Sequence, residues 1–128
     1  MNWVHMGLAC RSEANADRFF VDLLELAKSE VKTLPAQVSE GLFGVTADLP
    51  MVNYTGEALQ FEVFIDPNRE RSNDSIIHAC LEVENRVGFL ARCRVNEVEI
   101  IQVPKGESLL VFIRDYDGNL YEIKESKR

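Results

Sequence analysis

The sequence LVFIRDYDGNLYEI, residues 110–123, decides the fold of this chain. Its two apolar parts are rich in β-branched and aromatic residues and predict strands at 108–114 and 119–125. Between them, Asp117-Gly118 is a dipeptide typical of a tight hairpin turn. The end of the chain is therefore predicted to form an antiparallel hairpin.

The last predicted strand has a counterpart in the first half of the chain. Tyr-Glu-Ile at residues 121–123 matches Phe-Glu-Val at residues 61–63, which lies in a predicted strand at 58–65. Side chains alternate between the two faces of a strand, so Glu62 and Glu122 each point away from their apolar neighbours. Both carboxylates are therefore predicted to lie on the face opposite to the core.

A second motif repeats at the beginning of each half. His-x-x-Leu occurs at residues 5–8, in a predicted strand at 2–10, and again at residues 78–81, in a predicted strand at 76–83. The two histidines of the sequence thus occupy equivalent positions, again on the face opposite to the apolar side chains. Because an internal repeat fixes the architecture, the sequence predicts two similar sheets related by a pseudo-twofold axis.

The elements between these strands come in the same order in both halves. Ser12 and Asn85 are predicted helix N-caps, with the first helix reaching Ala27 and the second ending at Asn96. The remaining predictions are extended stretches at 31–39, 42–49 and 98–103 and a loop at 53–56. The predicted fold class is therefore α+β, with two βαβββ modules that form curved mixed sheets around a cavity.

The whole chain, residues 1–128, is predicted to be one domain. Module one occupies about residues 1–66 and module two about residues 75–128. The polar, turn-rich segment at about 67–74 is the predicted linker.

Four residues, His5, Glu62, His78 and Glu122, are predicted to line one cavity. Singly, a strand histidine is more often a core residue and a strand glutamate a solvated one, but here both types recur at equivalent positions. Two carboxylates in one cleft repel each other unless a cation is present. A mixed nitrogen and oxygen set suits zinc, nickel, cobalt, manganese or iron(II), and four ligands leave room for water or substrate. The sequence therefore predicts one divalent metal ion per site.

Composition limits the partners and the location of the protein. The net charge of −7 argues against a nucleic-acid partner, which requires a basic surface. The sequence has no apolar run of about 20 residues and no signal-peptide pattern, so neither a membrane span nor export is expected. Cys10, Cys80 and Cys93 form no Cys-x-x-Cys pair and are odd in number. Free thiols in the cytoplasm are the expectation.

The chain resembles the vicinal oxygen chelate superfamily, which includes glyoxalases, bleomycin-resistance proteins and extradiol dioxygenases. The resemblance covers nearly the whole length. It is carried by VHMGLACRSEANADRFFVDLLEL at 4–26, HACLEVEN at 78–85 and LVFIRDYDGNLYEI at 110–123.

Within that superfamily the quartet of this chain is similar to the ligand set of glyoxalase I, the lactoylglutathione lyase. The resemblance implies a metal-dependent lyase or isomerase acting on a small molecule, a hemithioacetal or a related α-oxo compound. Proton transfer would pass through a metal-stabilised enediolate, with Glu122 as the first choice of base and Glu62 as the second. Lys105 and Arg114 are candidate contacts for an anionic group of the substrate.

The sequence leaves several alternatives open. Ala9 and Asp66 stand where bacterial glyoxalase I enzymes often have the Arg and Asn that help bind glutathione, so the thiol or acyl carrier is not fixed. A methylmalonyl-CoA-epimerase-like or other metal-dependent activity is one alternative, and a non-catalytic dimer of the bleomycin-resistance type is another. The resemblance also implies a homodimer, whose site lies within one chain or across two.

Overall fold

The computed structural model describes residues 1–71 and 76–127. The chain divides into two compact units, Met1–Glu70 and Arg71–Arg128. Residues 72–74 of the predicted linker, and residue 75 at the predicted start of module two, lie outside the described residues.

The first unit contains a five-stranded mixed sheet in the order β1-β5-β4-β2, with β3 also paired to β4. Strands β1 and β5 are parallel, whereas β4 is antiparallel to each of its neighbours. The elements are β1 (Met6–Cys10), α1 (Glu13–Ala16) continued by a π-helix (Asp17–Leu23), β2 (Ala27–Lys28), β3 (Lys32–Leu34), α2 (Ala36–Phe43), β4 (Leu49–Thr55) and β5 (Gln60–Ile65).

The second unit contains a four-stranded sheet in the order β6-β9-β8-β7. Its first and last strands, β6 and β9, are parallel, and the other pairs are antiparallel. The elements are β6 (His78–Val83), α3 (Arg86–Val95), β7 (Glu99–Lys105), β8 (Ser108–Arg114) and β9 (Leu120–Glu125). Among the helices of the described residues, none has the length and apolar character needed to cross a membrane.

The predicted α+β class and the two similar sheets are confirmed, and the second unit has the predicted order β-α-β-β-β. The alternation of faces is confirmed as well. Phe61 and Val63 in β5, and Tyr121 and Ile123 in β9, are buried, whereas the glutamate between each pair is only partly covered. The core of each unit therefore lies on the face opposite to Glu62 or Glu122.

The first helix is shorter than predicted, because it ends at Leu23 and not at Ala27. Glu25 adopts a left-handed backbone conformation with φ of 61°, which stops the helix. The chain then turns so that Ala27 pairs with Thr55 of β4. Helical spacing of apolar residues in the sequence continues past this point, so periodicity alone did not mark the end.

Helix α2 is a further difference, since residues 31–39 and 42–49 were predicted to be extended. Pro35 precedes the helix as its N-cap, and Gly44, with φ of 70°, comes after it as its C-cap. Proline at the start and glycine at the end are helix-boundary signals, but the prediction placed both residues inside extended stretches. The buried Ser39 hydroxyl holds the returning loop through the carbonyl oxygens of Val45, at 2.9 Å, and Ala47.

Two strand boundaries also differ from the prediction. Strand β1 begins at Met6 and not at residue 2, because its partner β5 begins only at Gln60. Strand β4 extends to Thr55, through the predicted loop at 53–56, because Asn53 and Thr55 pair with β5. The turn falls later, where the Gly56 amide donates to the Leu59 carbonyl at 2.8 Å.

Aromatic packing joins the helical segment of the first unit to its sheet. The Phe20 ring stacks on Tyr54, with centroids 4.9 Å apart, and lies 5.2 Å from the Phe61 ring. The Tyr54 hydroxyl donates to Asp17 Oδ1 at 2.8 Å, so a fully buried tyrosine keeps a polar partner. Burial raises the pKa of Tyr54 above its ordinary value, and the hydroxyl stays neutral.

A thiol count tests the assignment of faces. Cys10 and Cys93 are buried, at 1% and 0% exposure, whereas Cys80 is exposed on β6. Burial also raises the pKa of the Cys93 thiol to about 11. We expect a thiol reagent at pH 8 to modify Cys80 in the folded protein, and the other two cysteines only after unfolding. Rapid labelling of Cys10 or Cys93, located by mass spectrometry, would contradict the assigned faces.

The Tyr54→Phe substitution tests the contact between the helical segment and the sheet. Removal of a hydrogen bond to a carboxylate is expected to lower the free energy of unfolding by about 1–2 kcal/mol in urea titrations. The effect should be much smaller in an Asp17→Asn background, where the charged acceptor is absent. Equal losses in both backgrounds would show that the hydroxyl does not act through Asp17.

Candidate functional site

The first unit brings His5 and Glu62 together. Strands β1 and β5 run parallel, and Gly7 lies opposite Glu62. His5 comes two residues before Gly7 in the chain, so it lies on the same face as Glu62. His5 Nε2 and Glu62 Oε1 are 3.5 Å apart, with 36% and 22% of the two side chains exposed. The predicted neighbours are thus in contact on one accessible face of the sheet.

The second unit repeats this arrangement with His78 and Glu122. Strands β6 and β9 are parallel with Cys80 opposite Glu122, which gives the same two-residue offset. His78 Nε2 and Glu122 Oε1 are 3.8 Å apart, with 32% and 17% of the side chains exposed. Each unit therefore presents one imidazole nitrogen and one carboxylate oxygen from its parallel strand pair.

The ring of His78 is oriented by its second nitrogen. Nδ1 lies 2.7 Å from the carbonyl oxygen of Ile76, and because a carbonyl only accepts, Nδ1 carries the proton. In the neutral ring, Nε2 then has no proton and is the nitrogen that could bind a metal. The Phe112 ring packs edge-on against the imidazole, with centroids 5.1 Å apart. A ligating histidine commonly has such a partner on its other ring nitrogen.

The spacing within each pair suits a shared cation. Nitrogen and oxygen ligands bound at about 2.0–2.2 Å with tetrahedral angles lie about 3.4 Å from each other. The observed separations are 3.5 and 3.8 Å, so small side-chain movements suffice. Among the residues that the structure describes, no three His, Cys, Asp or Glu side chains form a group that could hold a metal. Each pair by itself supplies two ligands.

The surroundings of Glu62 differ along the sheet. On one side Gln60 Nε2 donates to Asn53 Oδ1 at 3.1 Å, which gives a polar flank. On the other side lies Phe64, and a Cβ on Gly7 would contact its ring at 3.8 Å. The alternation of faces places Gln60 and Phe64 beside Glu62, but Asn53 lay in a predicted loop. That Asn53 lies opposite Glu62 follows only from the pairing of β4 with β5.

The two candidate anion contacts are far from each other. Lys105 is exposed at the hairpin end of β7, opposite Ser108, whereas Arg114 is paired with Glu99 at the other end of the two strands. The side chain of Arg114 is 13% exposed and lies with Nε 3.4 Å from Glu99 Oε2. Its Nη1 donates to the Gly118 carbonyl at 2.8 Å.

Arg114 also lines a polar cavity of about 250 Å³ together with Arg71, Glu97, Val98, Glu99 and Tyr116. Arg71 Nη2 donates to Glu99 Oε1 at 3.2 Å, so the two guanidinium groups share one carboxylate. The charge of Arg114 is therefore engaged within the second unit.

No protein-family model matches the chain, and no curated protein sequence matches it. Solved structures do match over nearly the whole length. A glyoxalase family protein from Enterococcus faecalis has 15% identity and a TM-score of 0.71, with 93% of each chain covered.

Fosfomycin resistance proteins are similar in structure as well. FosX from Listeria monocytogenes has 10% identity and a TM-score of 0.73, covering 99% of this chain and 94% of its own. FosX from Mesorhizobium loti has 10% identity and a TM-score of 0.69, covering 98% and 92%. At these identities the likeness establishes the fold alone. The chain therefore has the fold of the vicinal oxygen chelate superfamily.

Proposed function

We propose that this chain is a metal-dependent lyase or isomerase of the glyoxalase I type. The observation that supports the proposal is a repeated His–Glu pair: His5 with Glu62, and His78 with Glu122. In both pairs the histidine comes two residues before the residue that lies opposite the glutamate in the parallel strand pair. An arrangement that recurs in both units is hard to explain by packing alone, since each pair lies on the accessible face of its sheet.

In this proposal the two pairs meet around one divalent ion. A catalytic ion usually takes three or four protein ligands, and each pair supplies two. A cation between the pairs would offset the repulsion of two carboxylates, and Nε2 of a neutral His78 ring could bind it. The pairs come from one chain or from two chains of a homodimer, and either arrangement gives two nitrogen and two oxygen ligands.

The side chains have separate tasks in the reaction. His5 and His78 would bind the ion through Nε2, and Glu62 and Glu122 through a carboxylate oxygen. When bound, such an ion would supply Lewis acidity to the substrate. Glu122 removes a proton from the carbon that carries the hydroxyl group and delivers it to the adjacent carbonyl carbon. The hydroxyl proton shifts to the other oxygen, so a hemithioacetal becomes a hydroxyacyl thioester without gain or loss of atoms.

Glu122 is the preferred base by resemblance to glyoxalase I, and its side chain is slightly less exposed than that of Glu62, at 17% against 22%. The Phe112 ring, which packs on His78, comes from the residue that pairs with Glu122 on β8. A base next to an apolar ring is less solvated, which favours proton transfer to carbon.

The substrate we propose is a hemithioacetal or related α-oxo compound whose thiol need not be glutathione. Ala9 has no side chain that can bind a carboxylate. Asp66 is engaged in a turn, where its Oδ1 accepts from the Asn68 amide at 3.1 Å. An epimerase-like reaction on an acyl thioester uses the same proton transfer and is the alternative within this chemistry.

The metal is a divalent ion such as zinc, nickel, cobalt or manganese, all of which accept nitrogen and oxygen ligands. One fosfomycin resistance protein of the same fold, from Listeria monocytogenes, is known in complex with Mn(II) and a sulfate ion. Manganese therefore belongs in any reconstitution series.

Metal content tests the proposed ligand set. We expect the purified protein to take up about one divalent ion per chain, measured by elemental analysis after removal of free metal. His5→Ala and His78→Ala should each lose most of this ion. Glu82→Gln, which removes an exposed carboxylate from the same face of β6, is the matched control and should retain it. A protein that takes up none of the four metals would refute the enzyme hypothesis and leave a non-catalytic binder.

Rates of hemithioacetal isomerisation test the assignment of the base. Glu122→Gln is expected to lower kcat by about 10²–10⁴-fold, because the amide cannot accept the proton. Glu62→Gln should lower kcat less at equal metal occupancy. If the metal-loaded Glu62→Gln protein is the slower of the two, the roles of the glutamates are reversed.

A further inference from the structure

The face of the first sheet that carries Glu62 is divided into a polar and an apolar part. Three rows of paired residues cross β4 and β5 on this face: Thr55 with Gln60, Asn53 with Glu62, and Met51 with Phe64. The first row is polar and the last is apolar. The carboxylate of the His5–Glu62 pair therefore stands at the boundary between the two parts.

Helix α2 extends the apolar part beyond the sheet. The Phe43 ring contacts the Phe64 ring edge-on, with centroids 5.1 Å apart. Phe43 and Leu42 nevertheless remain 51% and 66% exposed. Gly7 adds no side chain on the β1 side of Phe64. The result is an apolar wall, formed by Phe43 and Phe64, that begins two residues from Glu62.

The wall is held in place by polar contacts from the first residue and from the middle of the helix. The Ala36 amide donates to Asp48 Oδ1 at 2.7 Å, and Ser39 Oγ lies 2.9 Å from the Val45 carbonyl oxygen. These contacts fix a helix of only eight residues against the loop that returns to β4. The exposure of Leu42 and Phe43 is therefore a property of a tethered element.

The second unit has no corresponding helix among its described residues. There the hairpin of β7 and β8 continues through a two-residue turn at Gly106 and Glu107. Cys80 and Lys124 lie on the same face as Glu122, and Lys124 Nζ is 4.0 Å from Glu122 Oε2. The two His–Glu pairs are similar, but the surfaces beside them differ in polarity.

We propose that the apolar wall binds an apolar substituent, aromatic or branched aliphatic, of a substrate whose two oxygens are held at the His5–Glu62 side of the metal site. This inference rests on the proposed function and narrows its substrate to α-oxo compounds with such a substituent. Transfer of an apolar group from water to this wall is favourable, and a larger apolar group gains more than a methyl group.

Binding of two small oxygen chelators to the metal-loaded protein tests this proposal. Acetohydroxamate and benzohydroxamate carry the same chelating group and differ in the apolar part. By calorimetry we expect benzohydroxamate to bind at least tenfold more tightly. Phe43→Ala should remove most of this preference while the affinity for acetohydroxamate changes less than twofold. Leu109→Ala, a substitution at a similarly accessible apolar residue of the second unit, is the control and should leave the preference intact.

The outcomes separate this inference from the proposed function. If the loaded protein binds both hydroxamates equally, or if Phe43→Ala weakens both to the same degree, the apolar wall has no role in recognition and the metal site stands. If the protein binds neither metal nor hydroxamate, the proposed function fails and the inference fails with it. Thermal melting of Phe43→Ala checks that the half-exposed ring is not needed for folding.

Discussion

The parallel pairing of the first and last strands in each unit is the constraint on which the candidate site depends. It places a histidine near the start of the first strand beside a glutamate in the last one, through the pairings Gly7 with Glu62 and Cys80 with Glu122. A shift of the register by one residue would turn each glutamate into the core. Burial of the flanking side chains, such as Tyr121 and Ile123, prevents that shift. Hydrophobic burial thus positions the polar pair.

The turn between β8 and β9 also fixes the register of the second sheet. In the second unit the buried Asp115 carboxylate accepts hydrogen bonds from the amides of Asp117 and Asn119, from Asn119 Nδ2 and from the Tyr121 hydroxyl. Burial raises the pKa of Asp115, while these four donors oppose that shift. Gly118, with φ of 88°, allows the tight path. The turn that marks the fold in the sequence therefore also sets where Glu122 lies.

Features that depend on periodicity could be predicted from the sequence, whereas those that depend on local closure of the chain were missed. Strand alternation correctly assigned the faces of β5 and β9. The structure places each histidine beside the glutamate of its own unit, whereas the single cavity for all four residues stays a prediction. Helix α2 was missed because its short run of mixed residues has no clear period, so Pro35 and Gly44 were placed in extended stretches and not at helix boundaries. The end of the first helix depends on the left-handed backbone conformation of Glu25, and no pattern of side chains in the sequence predicts that conformation. Because the apolar wall beside Glu62 is built on helix α2, it was not predicted either.

X-ray absorption spectroscopy at the metal edge directly tests the proposal that the two His–Glu pairs share one ion. The zinc- or cobalt-loaded protein should show two imidazole ligands on each ion, with oxygen completing the shell, at about one ion per chain. One imidazole per ion, at about two ions per chain, would show that the pairs bind separately and would contradict the shared site.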